Sequence, residues 1–359
     1  MDKRFVNDVH FPIAQLMLRA SKSISPTEMH TNAMYLAEML LKLSAIVRLS
    51  IVQSNRDVFQ SYLSNIPEIL VKPSLGHWLM IFRESAIQLE KSKLAIDYED
   101  ILRTDKRIDL PAVRAWAEEC SKIPSGPFEH NQIKGQLKNG LMGFFELIVN
   151  YRNKTTGHGA LLPPAQLEKT TSLFLNAIQE ALEKTCCLSS IKLVFAELKV
   201  IDNRNQIEWL FLHGPASFRL SSSQMPLVIE NKHEKIAGKV YALIGNNLIC
   251  MHPLVYYSND GNLKEQFAFF NDIRLTAGKR IASVNYTDYA YGENMTLNVP
   301  GNRHVSCLLS VDGEDDASVI MSVPKKRILA EFDNHVSIKP KIKIFLVLIW
   351  VLWFFLCFI

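Results

Sequence analysis

Residues 165–200 read AQLEKTTSLFLNAIQEALEKTCCLSSIKLVFAELKV, and the spacing of apolar residues changes within this stretch. Up to Leu182 the apolar residues recur every three or four positions, which is typical of an amphipathic helix. From Ile191 onward the chain consists of short runs rich in β-branched and aromatic residues, which are typical of strands. The sequence therefore predicts a change from helices to strands near Ser190.

The part before this change contains strong helix signals. Ser25, Pro26 and Glu28 place a capping serine, a proline at the first helical position and a glutamate three residues after the cap. A long amphipathic helix is predicted from there to about Ile51, with Glu38 and Lys42 as a favourable i,i+4 pair. Further helices are predicted at 57–70, 74–89, 133–153 and 165–182, with 97–109 as a loop or an exposed helix. Residues 1–187 are thus predicted to form an all-α bundle.

The part after the change predicts an antiparallel sheet domain over residues 190–322, so that the fold class is α+β. Its strands are predicted at 191–200, 207–212, 236–244, 248–257, 266–270, 280–286 and 305–311. We expect it to act in sensing or interaction. Tyr286, Tyr289 and Tyr291 follow Lys279 and Arg280, and we interpret them as ordinary alternating strand residues rather than a nucleic-acid stacking surface.

The charge of the chain is concentrated in one segment. The 359 residues are 48% hydrophobic and 21% charged, a composition that excludes collagen-like and wholly disordered classes. Residues 323–343 contain six basic and two acidic side chains, which accounts for the formal net charge of +4. The body before them is neutral, which argues against broad, sequence-independent RNA affinity.

Residues 344–359, IFLVLIWVLWFFLCFI, are apolar on every face and predict a single C-terminal transmembrane helix. Residues 323–343 would be its basic juxtamembrane linker, with Lys339, Lys341 and Lys343 flanking the membrane. No secretory signal is visible at the start of the chain, so the body is predicted to be cytoplasmic and the protein a single-pass protein of the cell membrane.

Several kinds of site have no support in the sequence. The six cysteines form no C-x-x-C pair, which leaves no zinc-knuckle or thioredoxin-type motif. The glycine-rich nucleotide motifs, H-E-x-x-H and G-x-S-x-G are also absent. We therefore expect neither a metal nor a cofactor.

One segment contains residues suited to catalysis. Residues 151–160 read YRNKTTGHGA, in which Arg152 closes a predicted helix and His158 follows in a glycine-flanked turn. A guanidinium suits a phosphodiester, and an imidazole suits proton transfer near neutral pH. Metal-independent RNA cleavage needs both groups. Spacing alone is weak support, because Arg4 and His10 give a second Arg-His match at a similar distance.

YRNKTTGHGA resembles the Arg-polar-x(3 to 4)-His motif of HEPN domains, helical bundles common in prokaryotic toxin and antiphage systems. The helical segments PTEMHTNAMYLAEMLLKL and PSLGHWLMIFRE also resemble HEPN-containing proteins, and NLICMHPLVYYSNDG, FAFFNDIR and NYTDYAYG resemble the β module that accompanies such bundles. The resemblance implies a dimeric ribonuclease with a composite site. Arg152 would hold the scissile phosphate, Asn153 would orient the phosphate or the histidine, and His158 would act as general acid or base.

The sequence thus predicts a membrane-tethered prokaryotic defence or toxin-type effector with a latent, metal-independent endoribonuclease activity. The predicted partners are the membrane, an RNA substrate and further copies of the chain, which would form a homodimer or higher oligomer through the bundle. Many HEPN domains are inactive, and Arg152 and His158 would then only cap helices. Two alternatives stay open: a non-enzymatic oligomer that perturbs or permeabilises the membrane, and an adaptor that localises a partner protein from the same operon.

Overall fold

The computed structural model describes residues 5–92, 108–123, 127–128, 133, 140–157, 163–184, 188, 191–201, 204–220, 237–245, 247–259, 264–299 and 303–309. Helices occupy the first half of these residues and antiparallel strands the second half, so the fold class is α+β. The helices are α1 Phe11–Ser21, α2 Pro26–Ser54, α3 Arg56–Leu63, α4 Ile66–Leu70, α5 Leu75–Lys91, α6 Pro111–Ser121, α7 Gly140–Arg152 and α8 Pro164–Lys184.

Helix α2 is the centre of the helical part. It begins where the sequence predicts, because the Ser25 hydroxyl accepts a hydrogen bond from the Glu28 backbone N–H at 3.2 Å. From Leu36 to Gln53 nearly every residue of α2 is buried. Helices α1, α5, α7 and α8 all pack against α2, and α6 packs on α8. The helix is therefore covered on several sides, as its broad apolar surface requires.

The strands form two antiparallel sheets. The first has the order β3-β2-β1-β4-β5, and the second the order β6-β7-β8-β9. Register shifts interrupt the β7–β8 ladder, whereas the β8–β9 ladder is regular. The strands are β1 Ile191–Ile201, β2 Arg204–His213, β3 Ala216–Arg219, β4 Val240–Ile244, β5 Asn247–Cys250, β6 Val255–Asn259, β7 Glu265–Thr276, β8 Arg280–Asp288 and β9 Glu293–Asn298.

Helices and sheets are joined by direct contacts, and all the described residues belong to one compact unit. The backbone N–H of Gly214, after β2, donates to the Val9 carbonyl at 2.7 Å. Gly214 has a φ of +64°, a left-handed conformation that favours glycine. At the second sheet, the ring of Trp78 in α5 meets Phe270 in β7 edge-to-face.

The structure differs from the sequence predictions at several elements. Residues 57–70 form two helices, α3 and α4, instead of one. The strand predicted at 305–311 is wrong where the structure describes it, because Val305–Cys307 is a 3₁₀ turn. Elements α1, α6, β3 and β9 were not predicted. Proline near the start of α1 and α6 is a start signal that could have revealed these two helices.

The predicted fold class needs one correction, which concerns the transmembrane helix. Among the described residues no helix combines the length and the apolarity needed to cross a membrane. Even α2, with 29 residues, carries Glu28, Glu38, Lys42 and Arg48. Residues 323–343, with Lys339, Lys341 and Lys343, and the apolar residues 344–359 lie outside the described residues. The fold class that the described residues support is α+β.

Candidate functional site

Arg152 is the last residue of helix α7, and its neighbour Tyr151 anchors this end of the helix in the core. The Tyr151 side chain is fully buried and packs against Trp116 at a centroid distance of 5.3 Å and Phe174 at 5.7 Å. Burial raises the pKa of the Tyr151 phenol well above its ordinary value. Because Tyr151 fixes the last turn of α7 in the aromatic core, Arg152 leaves the helix in a defined direction.

A single turn of π-helix, Asn153–Gly157, follows α7. Asn153 and Lys154 are exposed, whereas Thr155 is buried and its hydroxyl donates to the Tyr151 carbonyl at 2.7 Å. This bond satisfies one of the carbonyls that every helix end leaves without an intrahelical partner. Arg152, which is partly exposed, and Asn153, which is exposed, are thus adjacent at the surface where α7 ends.

Arg152 forms an ion pair with a carboxylate on α2. Its Nε donates to Oε1 of Glu38 at 3.3 Å, and the two side chains are 39% and 16% exposed. Burial raises the pKa of the Glu38 carboxyl, although the charges of Arg152 and Lys42 oppose the rise. Arginine is suited to this position because its guanidinium stays charged when it is partly desolvated.

A second cation, Lys42, lies one helical turn after Glu38 and is 6% exposed. Its Nζ lies 5.1 Å from the ring centre of Tyr289 and 5.9 Å from that of Trp78, both within the range of cation–π attraction. Burial lowers the pKa of Lys42 to about 8, while the carboxylates of Glu38 and Asp272 oppose this change. The buried charges of α2 are thus partly compensated by Arg152, by Asp272 of β7 and by two aromatic faces.

The turn between β8 and β9 contributes Tyr289, whose ring contacts Lys42 from the side of the second sheet. Nη1 of Arg19 donates to the carbonyls of Tyr289 and Ala290 at 2.9 and 3.1 Å, and the ring of Tyr35 meets Tyr289 edge-to-face. We call Glu38, Lys42, Arg152 and Tyr289 the Glu38 cluster. It joins α2, the end of α7 and the second sheet.

The described residues include two of the three predicted catalytic residues. Arg152 and Asn153 are adjacent at the surface end of α7, whereas His158 lies outside the described residues. Sequence reasoning noted Glu38 and Lys42 as a favourable pair on one helix, but it did not identify Arg152 as the ion-pair partner of Glu38. Two charges four residues apart among apolar neighbours, in AEMLLKL, were the signal for a buried polar cluster.

Two further expectations concern aromatic and metal sites. Tyr286 is buried in β8, in agreement with the strand interpretation. Tyr289 and Tyr291 instead lie in the turn after β8, where Tyr289 is buried and Tyr291 is 41% exposed, with Lys264 Nζ 3.9 Å from its ring centre. Within the described ranges, His, Cys, Asp and Glu side chains form no group of three that could hold a metal ion.

The small cleft nearest this region lies between α1, α2 and β7. Its walls include Leu16, Met39, Phe267 and Tyr289, with Glu265 as the acidic group. Glu265 accepts hydrogen bonds from the Ser217 N–H and hydroxyl and from the Tyr257 hydroxyl. The Glu265 carboxylate therefore already has hydrogen-bond partners within the protein.

No protein-family model, no curated protein and no solved structure matches this chain. The resemblance to HEPN domains accordingly rests on the quoted sequence segments alone.

Proposed function

We propose that this chain is a metal-independent endoribonuclease of the HEPN type that serves as a defence or toxin-type effector. Arg152 binds the scissile phosphate, Asn153 orients it, and His158 transfers a proton. The observation that carries the proposal is the position of Arg152. Its side chain forms an ion pair with the Glu38 carboxylate and is still 39% exposed. The next residue, Asn153, is also exposed.

The proposed reaction is transesterification within the RNA chain. A base removes the proton of the 2′-hydroxyl, the 2′-oxygen attacks the adjacent phosphorus, and the 5′-oxygen leaves with a proton from an acid. The products are a 2′,3′-cyclic phosphate and a free 5′-hydroxyl. Two proton-transfer groups are needed, and a dimer would supply His158 from each copy. The Arg152 guanidinium would stabilise the negative charge on the phosphorane.

The Glu38 cluster suggests why the activity would be latent. The carboxylate of Glu38 already compensates the charge of Arg152 at 3.3 Å, so an RNA phosphate has to compete with an internal anion. A carboxylate and a phosphate both accept charge-assisted hydrogen bonds from a guanidinium, so the two anions would compete for the same donors. An event that weakens the Glu38–Arg152 pair would therefore strengthen phosphate binding at Arg152.

The proposal is tested by RNA cleavage with the purified full-length chain in the presence of a chelator. Replacing His158 with Ala should lower the cleavage rate by about 100-fold or more, the usual contribution of a general acid or base. Arg152→Ala should have a similar effect, because it removes the charge that stabilises the transition state. The matched control is Lys154→Ala, which removes an exposed cation two residues away and should leave the rate close to that of the wild type.

The cleavage products provide an independent readout. Fragments should end in a 2′,3′-cyclic phosphate, and an RNA with a 2′-deoxy substitution at the cleavage site should remain intact. Undiminished cleavage by the His158→Ala variant, or cleavage that the chelator abolishes, would show that the proposed mechanism is wrong.

A second candidate is a non-enzymatic binding or adaptor module. The observation that favours it is that Arg152 and Thr155 both have structural contacts, to Glu38 and to the Tyr151 carbonyl. In this case Arg152→Ala would lower stability, whereas His158→Ala would leave cell toxicity unchanged. Equal toxicity of wild type and His158→Ala, together with no RNA cleavage by either, would favour this candidate over the nuclease.

A further inference from the structure

Strand β9, Glu293–Asn298, is the last strand of the second sheet and pairs with β8 along one edge. No described strand pairs with its other edge. Both faces of the strand are accessible, with Glu293, Asn294, Thr296 and Asn298 exposed and Met295 and Leu297 partly buried. An accessible strand edge presents backbone N–H and C=O groups that another strand could bind.

The register of the β8–β9 ladder shows which backbone groups point outward. The N–H of Val299 donates to the Ala282 carbonyl at 3.1 Å, in line with the pairing of Leu297 with Val284 and Met295 with Tyr286. In an antiparallel pair every second residue bonds to the neighbouring strand, and the residues between them point away. The N–H and C=O groups of Asn294, Thr296 and Asn298 therefore point away from β8.

The two faces of β9 differ in polarity. Met295 and Leu297 lie opposite the buried Tyr286 and Val284, so they share the core-side face of the sheet. The other face carries amide and hydroxyl groups, with Asn294 Oδ1 accepting a hydrogen bond from Thr287 and the Thr296 hydroxyl donating to Asn285. Two partly buried apolar side chains thus remain at the edge of the core.

Within the part of the chain that the structure describes, the edge also lacks the usual protection against pairing. Natural edge strands are commonly blocked by Lys, Pro or a β-bulge. The sequence ENMTLN contains neither Lys nor Pro, and the β8–β9 ladder has no register shift. Its one charged residue, Glu293, lies at the start of the strand and is paired with Lys264 at 2.7 Å.

We propose that β9 is a homodimer interface, in which two copies pair antiparallel about a two-fold axis at Thr296 and join their sheets into one. In this register Thr296 lies opposite Thr296 of the second copy, and Asn294 lies opposite Asn298. All three outward-pointing residues of each copy then form hydrogen-bonded pairs. A register centred on Met295 would pair only Asn294 with Thr296, so it would form fewer hydrogen bonds.

A second copy of β9 is a suitable occupant because the strand complements itself in this register. On the core side, Met295 of each copy lies opposite Leu297 of the other copy. These two pairs extend the apolar face across the axis. On the other face amide lies opposite amide and hydroxyl opposite hydroxyl. Glu293 faces Val299, so no two carboxylates are placed opposite each other. The surface is distinct from the helical bundle, and the proposal does not depend on the nuclease function.

Cysteine cross-linking tests the register in the full-length chain. Opposite residues of a hydrogen-bonded antiparallel pair have Cα atoms about 5.5 Å apart, within the range that a disulfide spans. Thr296→Cys should therefore give a covalent dimer on mild oxidation. Asn298→Cys alone should not, because Asn294 lies opposite, whereas the double variant Asn294→Cys/Asn298→Cys should. The wild type, with its six native cysteines, gives the background.

The native mass provides the second test. Thr296→Lys places two ammonium groups directly opposite each other, so its mass in sedimentation equilibrium should be half that of the wild type. Thr296→Val keeps the backbone N–H and the neutral side chain and should retain the wild-type mass. Circular dichroism should show both variants folded. A Thr296→Lys variant with the wild-type mass, or equal cross-linking of Thr296→Cys and Asn298→Cys, would overturn the proposal.

Discussion

At the scale of single residues, Trp116 organises the helical part. Its indole is fully buried, stacks on Phe174 of α8 at a centroid distance of 4.4 Å and meets Tyr151 of α7 at 5.3 Å. Such aromatic pairs contribute beyond the area that they bury. One side chain of α6 therefore connects the three helices α6, α7 and α8, and it contacts the residue that precedes Arg152.

Two substitutions of Trp116 should show whether its contribution to the free energy of unfolding comes from packing or from hydrogen bonding. Trp116→Ala should lower the free energy of unfolding by about 3–5 kcal/mol, since it leaves a large cavity among aromatic rings. Trp116→Phe should cost distinctly less, because Nε1 of Trp116 has no hydrogen-bond partner in the described part of the chain. Urea denaturation followed by circular dichroism measures both values. Equal losses for the two variants would contradict this explanation.

At the scale of elements, the start of α2 shows how a local signal defines a helix. The Ser25 hydroxyl accepts from the Glu28 N–H at 3.2 Å, and Oε2 of Glu28 accepts from the Ile24 N–H at 2.8 Å. Pro26 occupies the first position, where the helix requires no N–H. These bonds satisfy backbone donors that the first turn leaves open. All the groups involved lie within five residues, so the sequence was sufficient to predict them.

Removing this cap should have a measurable but moderate effect. Ser25→Ala should lower the free energy of unfolding by about 1 kcal/mol, the typical value for a lost serine cap. Ser64→Ala is the matched control, because the Ser64 hydroxyl is exposed and only donates to the Ser61 carbonyl. The control should change stability by less than about 0.5 kcal/mol. Urea midpoints of the two variants, measured side by side, decide the outcome.

Two failures of the sequence predictions, the strand at 305–311 and the missed strand β9, have physical explanations. The strand predicted at 305–311 has suitable residue types, but the chain turns at Val305 after the Arg280–His304 bridge. Strand β9 is short and its side chains are mostly polar, so its composition gave no strand signal. It is a strand because β8 provides a regular partner. Strand formation depends on such pairing more than on intrinsic preference.

At the scale of the whole molecule, buried histidines connect distant parts of the chain. His10, 4% exposed, donates from Nε2 to the Ile191 carbonyl of β1 at 2.9 Å. His30, 2% exposed, is bonded to the Thr171 hydroxyl of α8 at 3.1 Å. Burial lowers the pKa of each imidazole to about 4. Both side chains are therefore neutral in the folded protein at neutral pH.

These pKa values predict that the protein loses stability in mild acid. The unfolded chain takes up protons near pH 6.5, while the folded chain resists protonation until about pH 4. Stability from this source is complete above pH 6.5 and falls as the pH drops towards 4, by up to about 3 kcal/mol per histidine. The double variant His10→Gln/His30→Gln should show a flatter dependence of the urea midpoint between pH 7 and pH 5. An unchanged slope would contradict this assignment.

The sequence by itself determined that helices precede strands, where α2 starts, and that Arg152 and Asn153 are candidate residues. These features depend on periodicity, capping and motif spacing within a few residues. Only the tertiary structure decided that Glu38 pairs with Arg152, 114 positions away, and that Tyr289 lies over Lys42. The reason is that burial and electrostatic partners across such separations arise only when α2, α7 and the second sheet pack together, and no local pattern encodes that packing.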